Sequence, residues 1–163
     1  MVRIEEIIKI FRTEDVETSA LNNVSLQIKA EEFVAIMGPS GCGKSTLLNI
    51  VGLLDTQTSG NYIFKGTDVT GLKESERTQF RRGNIGFIFQ SFNLINAINV
   101  YDNIELPLMY LNMKAVDRRK KVEDVMRRMK IGHRAKHFPQ QLSGGQQQRV
   151  AIARAVVAEP GLI

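Results

Sequence analysis

The sequence has little of what several protein classes require. Its 163 residues include one cysteine, Cys42, so no intrachain disulfide can form, which favours a reducing compartment. No run of 18 apolar residues occurs, and a membrane-spanning helix is therefore not expected. The first ten residues mix basic and acidic side chains, which is not the pattern of a secretory signal. These absences predict a cytoplasmic protein.

Aromatic residues are also scarce, at 7% of the chain, and tryptophan is absent. No aromatic side chain is interleaved with the basic residues over 118–128, which disfavours a stacking surface for nucleic acid. The net charge of +5 suits phosphate ligands, nucleic acid or an anionic membrane surface, and does not decide among them. With 43% apolar residues and no linker or repeat, the chain has the composition of one folded domain.

The most informative stretch is residues 38–45, which read Gly-Pro-Ser-Gly-Cys-Gly-Lys-Ser. The apolar run 33–37 before it predicts a buried strand, and Thr46 onward predicts a helix. A strand, a glycine loop and a helix start together favour a phosphate-binding loop over a simple glycine turn. In such a loop Lys44 supplies a cation to the β- and γ-phosphates, and the Ser45 hydroxyl can bind Mg²⁺. Cys42 has no histidine near it in sequence, so we interpret it as a small loop residue rather than a catalytic thiol.

The rest of the first half predicts short strands around this loop. Antiparallel strands are expected over 2–12 and 19–29, another strand around 62–64, a helix over 72–82 and a buried strand over 85–89. Gln90 follows that last strand. Ligands bind at the carboxyl ends of strands in open α/β sheets, so Gln90 either reaches a nucleotide or merely ends the strand.

Residues from 91 onward predict helices. Asn99 is expected to cap a helix over 100–112, bent by Pro107, and a second helix is expected over 115–130. One face of the second helix is basic, which indicates a solvated face or a contact with a membrane or partner.

A second stretch with chemical content is residues 142–149, Leu-Ser-Gly-Gly-Gln-Gln-Gln-Arg. Ser143 and Gln146 form a capping-box pattern that opens a helix over 144–158. A cap alone does not require Gly144 and Gly145, each of which costs a helix about 1 kcal/mol against alanine. These glycines favour a second phosphate-binding helix start, and the alternative is that Ser143 only caps the helix.

Together the 38–45 loop, Gln90 and residues 142–149 resemble the ATP-binding cassette (ABC) ATPases, whose signature is the 142–149 pattern. Residues 32–41, 86–90 and 92–95 are most similar to the bacterial lipoprotein-release and macrolide-export group. The resemblance implies an α/β phosphate-loop NTPase core with an antiparallel β-subdomain and a helical subdomain. It divides the chain at about 1–90, 91–145 and 146–163.

The resemblance also implies roles for individual residues. Phosphates would be bound by Gly38, Pro39, Ser40, Gly41, Cys42, Gly43, Lys44, Ser45 and Thr46. Gln90 would contact Mg²⁺ and the attacking water, and Phe11 would stack on adenine unless it is a buried strand-end residue. Ser143, Gly144, Gly145 and Gln146 would contact the ATP held by a second copy in a head-to-tail dimer. The implied partner is a membrane permease, with the protein peripheral on the inner face of the cell membrane.

Two departures from the family pattern stand out. Glu31 occupies the position before the central strand where family members usually have glycine. The sequence ends at Ile163, ahead of the family's Walker B aspartate, general-base glutamate and switch histidine. We therefore expect a truncated chain that binds ATP weakly, hydrolyses little, and is either marginally stable or self-associating. The alternatives for the intact protein are a soluble ABC ATPase acting on DNA or ribosomes, and a phosphate-loop kinase or GTPase, which the signature disfavours.

Overall fold

The computed structural model describes all 163 residues, and the chain forms two compact units, residues 1–79 and 80–163. None of the helices combines the length and the apolar character needed to cross a bilayer. The subdivision at residues 90 and 145 implied by the family resemblance remains a prediction.

The first unit is built on a four-stranded antiparallel sheet with the strand order β2-β1-β3-β4. Its strands are β1 (Val2–Arg12), β2 (Glu17–Ile28), β3 (Ser59–Phe64) and β4 (Thr67–Asp68), and helix α1 (Lys44–Val51) lies in the same unit. The predicted antiparallel pairing of the two early strands is confirmed.

The alternation of buried and exposed residues along β1 gives this sheet a buried face. Val2, Ile4 and Ile7 are buried, with register shifts between Ile4 and Ile7 that change the alternation. Tyr62 of β3 is completely buried, and its hydroxyl donates a 2.7 Å hydrogen bond to the Val51 carbonyl at the end of α1. Burial raises the pKa of the Tyr62 phenol above its ordinary value, so the hydroxyl stays protonated and attaches α1 to the sheet.

The second unit is helical. Helix α2 (Glu74–Arg81) spans the boundary between the units, and α3 (Val100–Tyr110), α4 (Ala115–Arg128) and α5 (Gly144–Val156) follow, with short 3-10 turns at Gly132–Arg134 and Pro139–Gln141. The Asn99 carboxamide caps α3 as predicted, accepting a 2.9 Å hydrogen bond from the Asp102 N–H, and Pro107 lies inside the helix. The core comprises residues from all three long helices: Val100, Ile104, Leu108, Val122, Val125, Met126, Val150 and Ala153.

Asn103 is a buried polar residue in this core, and all of its hydrogen-bonding groups face one loop. Its oxygen accepts from the Ile95 N–H at 2.8 Å, and its amide nitrogen donates to the carbonyls of Ile95, Ile98 and Asn99. Because these bonds satisfy the buried amide, they also hold the loop that leads from Gln90 into α3.

The predicted strands over 33–37 and 85–89 are wrong for this chain. Residues 33–37 have no regular structure, and Phe33 and Met37 are 95% and 86% exposed. In the second segment only Ile85 pairs, in a parallel bridge with Leu162. Apolar strands of parallel sheets need neighbours to bond their backbone groups and cover their faces. No element of the described chain pairs with residues 33–37, so the apolar run does not become a strand.

Glu31, the position where the family usually has glycine, adopts φ = 62°. This left-handed conformation suits glycine and costs other residues roughly 1 kcal/mol. The turn therefore keeps the geometry that glycine would favour, with a glutamate in it.

The basic face of α4 is largely ion-paired within the chain. Arg118 donates at 2.7 Å to Glu105 and at 2.8 Å to the Met113 carbonyl, and both charged side chains of the pair are mostly buried. Arg119 pairs with Glu123, and Lys121 with Glu159, at the surface. The interpretation as a solvated face holds for the exposed pairs, whereas Arg118 attaches α4 to α3.

Candidate functional site

The phosphate-loop sequence forms a turn that leads directly into α1. Gly43 precedes the helix with φ = 88° and provides no side-chain cap for its first turn. The N–H groups at that helix start therefore have no competing side-chain acceptor at the cap position, as an anion site requires. Ser45 and Cys42 are exposed, and Lys44 and Thr46 are half-buried.

Lys44 lies over the loop itself. Its ammonium donates to the carbonyls of Gly38 at 2.8 Å and Pro39 at 2.6 Å, and it lies 3.6 Å from the Cys42 sulfur. Loop carbonyls thus hold the cation above the turn, where phosphate oxygens can replace them as stronger partners, because charge-assisted hydrogen bonds exceed neutral ones.

We expect Gly43→Ala to destabilise the chain more than Gly41→Ala. Both glycines have left-handed φ values, 88° and 82°, which alanine tolerates poorly. A Cβ at Gly43 would also lie 2.4 Å from the Ala20 carbonyl oxygen, whereas a Cβ at Gly41 meets nothing within 4 Å. Overpacking against backbone adds about 1–3 kcal/mol to the cost. Denaturant unfolding of the two variants measures the difference, and equal midpoints would show that Gly43 is not held against β2.

Phe11 lies near the end of β1 and is 45% exposed. It is therefore not the buried strand-end residue that the sequence left as an alternative. The Lys9 ammonium lies 4.8 Å from the centre of its ring. An exposed aromatic face in the same unit as the phosphate loop is available for stacking on a base.

The remaining sequence-predicted residues lie in the second unit. Gln90 is exposed and belongs to no regular element. Ser143 starts α5 with a complete capping box: its hydroxyl accepts from the Gln146 N–H at 3.4 Å, and the Gln146 side chain accepts from the Ser143 N–H at 3.0 Å. The predicted capping box is confirmed, and the helix ends two residues before the predicted position 158.

Capping does not account for the two glycines that follow Ser143. Gly144 and Gly145 do not have positive φ, and a Cβ built on either meets no atom within 4 Å. Neither backbone conformation nor packing within the chain requires glycine at these positions. The glycines instead leave the helix start bare, which favours close approach of a ligand or of another chain.

Arg154 is a residue that the sequence reasoning missed. From the last turn of α5 its guanidinium donates to the Asn93 carbonyl at 2.6 Å and to the Phe92 carbonyl at 2.8 Å. Asn93 and Phe92 have left-handed φ values, 47° and 62°, and follow Gln90 by three and two residues respectively. Burial lowers the pKa of the Arg154 guanidinium from its ordinary value. One helix therefore carries both the Ser143 start and the side chain that holds the loop after Gln90.

We expect Arg154→Met to release this loop while leaving α5 intact. Amide hydrogen exchange of residues 91–95 should rise at least several-fold, because two charge-assisted hydrogen bonds to a strained backbone are lost. Arg149→Met is the matched control, since Arg149 is an exposed arginine on the same helix. Equal exchange in the loop for both variants would show that Asn103, rather than Arg154, holds it.

The oxygen donors present suit Mg²⁺ in a nucleotide complex rather than an all-protein cage. Magnesium in such sites takes one or two protein oxygens together with phosphate oxygens and waters. The exposed Ser45 hydroxyl at the start of α1 is such a donor, and the chain contains no cluster of three or more His, Cys, Asp or Glu residues. Ser45 therefore fits the ion through its hydroxyl.

Comparisons with known proteins show the family to which the chain is similar. The family described as ABC transporter matches residues 21–163. The chain is 48% identical over all of its length to an uncharacterized ABC transporter ATP-binding protein of Methanocaldococcus jannaschii, 73% of which it spans. It is 48% identical over 157 residues to a macrolide export ATP-binding/permease protein of Brucella melitensis, and spans 24% of that protein.

A solved structure gives the same result for the fold. It is a dimeric post-hydrolysis state of an ATP-binding cassette bound to ADP and Pi, 44% identical to this chain. The TM-score is 0.89, and the match covers 98% of this chain and 71% of the other. The predicted α/β cassette fold is confirmed.

Proposed function

Because this chain belongs to the ABC transporter family, we propose that it binds Mg·ATP through residues 38–46 and Phe11 and serves as an ATP-hydrolysing component of a membrane transporter. The observation that carries the proposal is the phosphate loop, in which left-handed glycines lead into an uncapped helix start with Lys44 above it. Lys44 binds the β- and γ-phosphates, Ser45 binds Mg²⁺, and Phe11 stacks on adenine.

The proposed reaction is in-line attack of water on the γ-phosphate. Mg²⁺ in such sites neutralises charge that develops on the phosphate oxygens. Gln90 would contact Mg²⁺ and the attacking water through its carboxamide. Preorganised donors of this kind account for much of the catalysis of phosphoryl transfer.

The second half of the site is proposed to act across a dimer. Ser143, Gly144, Gly145 and Gln146 contact the γ-phosphate bound by another copy of the chain, which places two ATP molecules in a head-to-tail homodimer. The bare glycines at the start of α5 support this arrangement, because neither backbone conformation nor packing within the chain requires glycine there. The solved relative described above is also dimeric.

We propose a membrane permease as the partner that couples closure of the dimer to transport, with this protein peripheral on the inner face of the cell membrane. Similarity to macrolide export proteins supports export or lipoprotein release as the class of transport. The relatives reported above are named as transporter components. They give no support to an ABC ATPase acting on DNA or ribosomes.

The 163-residue chain itself is expected to turn over ATP near background, even with Mg²⁺. No carboxylate among its residues matches the family's general base, and a general base contributes typically 10²- to 10⁴-fold. Phosphate release by the purified, monodisperse chain measures this. Steady turnover that Lys44→Ala abolishes would contradict the expectation and place the base among the residues present.

Nucleotide competition tests the proposal as a whole. ATP should displace a fluorescent ATP analogue from the chain more effectively than AMP or inorganic phosphate, with Mg²⁺ required for full affinity. Displacement by all of these ligands at similar concentrations would indicate a general anion site and contradict the proposal.

A further inference from the structure

Lys9 is a buried lysine whose ammonium contacts both a carboxylate and an aromatic ring. It lies on β1 with 9% of its surface exposed, which is rare for lysine without a partner. Its ammonium donates to the Asp55 carboxylate at 2.8 Å and to the Thr56 carbonyl at 2.6 Å. The same ammonium lies 4.8 Å from the centre of the Phe11 ring.

The ammonium leaves part of the aromatic ring open. The Lys9 side chain is only 11% exposed, whereas Phe11 is 45% exposed. The cation lies over the ring, and the exposed part of Phe11 is open to a flat ligand.

The partners of Lys9 also connect the ring to the helix that follows the phosphate loop. Leu54 and Asp55 both donate backbone hydrogen bonds to the Asn49 carbonyl, at 2.8 and 3.2 Å. Asn49 belongs to α1, which begins at Lys44. The ammonium thus joins Phe11 to Asp55, and Asp55 is joined to the helix whose start presents Lys44 and Ser45.

The Asp55 carboxylate is suited to holding this cation. Burial acts to raise its pKa, but hydrogen bonds from Lys9 and the Thr56 N–H, with the nearby positive charges, outweigh that effect and lower it. The carboxylate is therefore ionised at neutral pH.

We propose that Lys9 is a positioning residue that makes Phe11 selective for a purine base and sets its distance from the phosphate loop. This inference rests on the proposed function, in which Phe11 stacks on adenine. A cation against one face withdraws electron density from the ring and strengthens stacking of an electron-rich purine on the other. Through Asp55 and Asn49, Lys9 also fixes the position of the Phe11 ring relative to α1.

A simple structural ion pair is the competing explanation, and the ligand used can separate the two. Tripolyphosphate probes the phosphate loop without a base, and ATP probes both parts of the site. If Lys9 acts through Phe11, its removal affects ATP and spares tripolyphosphate. If it only stabilises the unit, both ligands are affected in the same proportion.

The experiment is calorimetric titration of the full chain and its variants with ATP, UTP and tripolyphosphate, each with Mg²⁺. In Lys9→Met the affinity for ATP relative to tripolyphosphate should fall about five-fold, as expected for loss of a partly buried cation–π contact, and the preference for ATP over UTP should narrow. Lys9→Arg should retain both ratios, because it keeps the charge. In a Phe11→Ala background, Lys9→Met should have no further effect on either ratio.

The outcomes are distinguishable. A proportional loss for ATP and tripolyphosphate, or a loss that persists in the Phe11→Ala background, overturns the role of Lys9. If Lys9→Met does not fold, Asp55→Asn frees the ammonium instead: a fall in the same ratio supports the proposal, and an unchanged ratio overturns it. If Phe11→Ala itself leaves the ratio unchanged, the proposed base site is wrong, and the Lys9 inference falls with it.

Discussion

Replacing Lys44 by alanine is expected to weaken ATP binding by about 10- to 100-fold and to leave AMP binding nearly unchanged. The ammonium lies over the loop on the Gly38 and Pro39 carbonyls, where the β- and γ-phosphates of ATP are proposed to bind. Hydrogen bonds to charged partners contribute roughly 1.5–3 kcal/mol, which corresponds to this range. AMP has neither a β- nor a γ-phosphate, so its affinity should not change when Lys44 is replaced.

Lys29→Ala is the matched control, because it removes the same charge from an exposed position in the same unit. Its ATP affinity should stay within about two-fold of the parent chain, since exposed charges at a distance are screened by salt. Equal weakening of ATP and AMP by Lys44→Ala would mean that Lys44 only maintains the loop through its carbonyl contacts. The assignment of the phosphate positions would then be wrong.

Ser143→Asp is expected to abolish ATP-driven dimerisation while preserving the helix. Aspartate is as good an N-cap as serine, so the bond now accepted from the Gln146 N–H should survive. A carboxylate facing the γ-phosphate of the partner's ATP adds like-charge repulsion at close range, which costs several kcal/mol across an interface. Sizing chromatography with and without ATP measures the effect.

Two further variants separate the proposed contact from capping. Gln140→Asp introduces the same charge at an exposed position three residues earlier and should dimerise like the parent. Ser143→Ala loses the cap and should unfold more easily, by about 1 kcal/mol. If Ser143→Asp forms the same ATP-dependent dimer as the parent, Ser143 is only a cap, and the glycines beside it remain without a role.

Local chemistry made much of this structure predictable. Glycines followed by Lys44 indicated the phosphate loop, Asn99 and Ser143 indicated helix starts, and alternation along residues 2–12 indicated an antiparallel strand. The two helix starts depend on residues within about four positions of one another. The hydrogen bonds that create them are correspondingly short in sequence.

Features that depend on distant partners were not predictable. Residues 33–37 have the composition of a strand, but a strand forms only where another pairs with it, and no such partner lies in this chain. Lys9 meets Asp55 across 46 positions, and Arg154 meets Asn93 across 61. No spacing in the sequence marks such pairs, although a lysine among the isoleucines of β1 hinted that its charge needed a partner.

The central claim is that ATP binds with its phosphates in the loop 38–46 and its base at Phe11. Backbone amide NMR of the full chain, titrated with Mg·ATP, tests it most directly. The account predicts the largest shift changes at the N–H groups of residues 41–46, with smaller ones near Phe11, and predicts that tripolyphosphate reproduces only the first set. Shifts centred instead on the basic face of α4, with the loop unchanged, would contradict it.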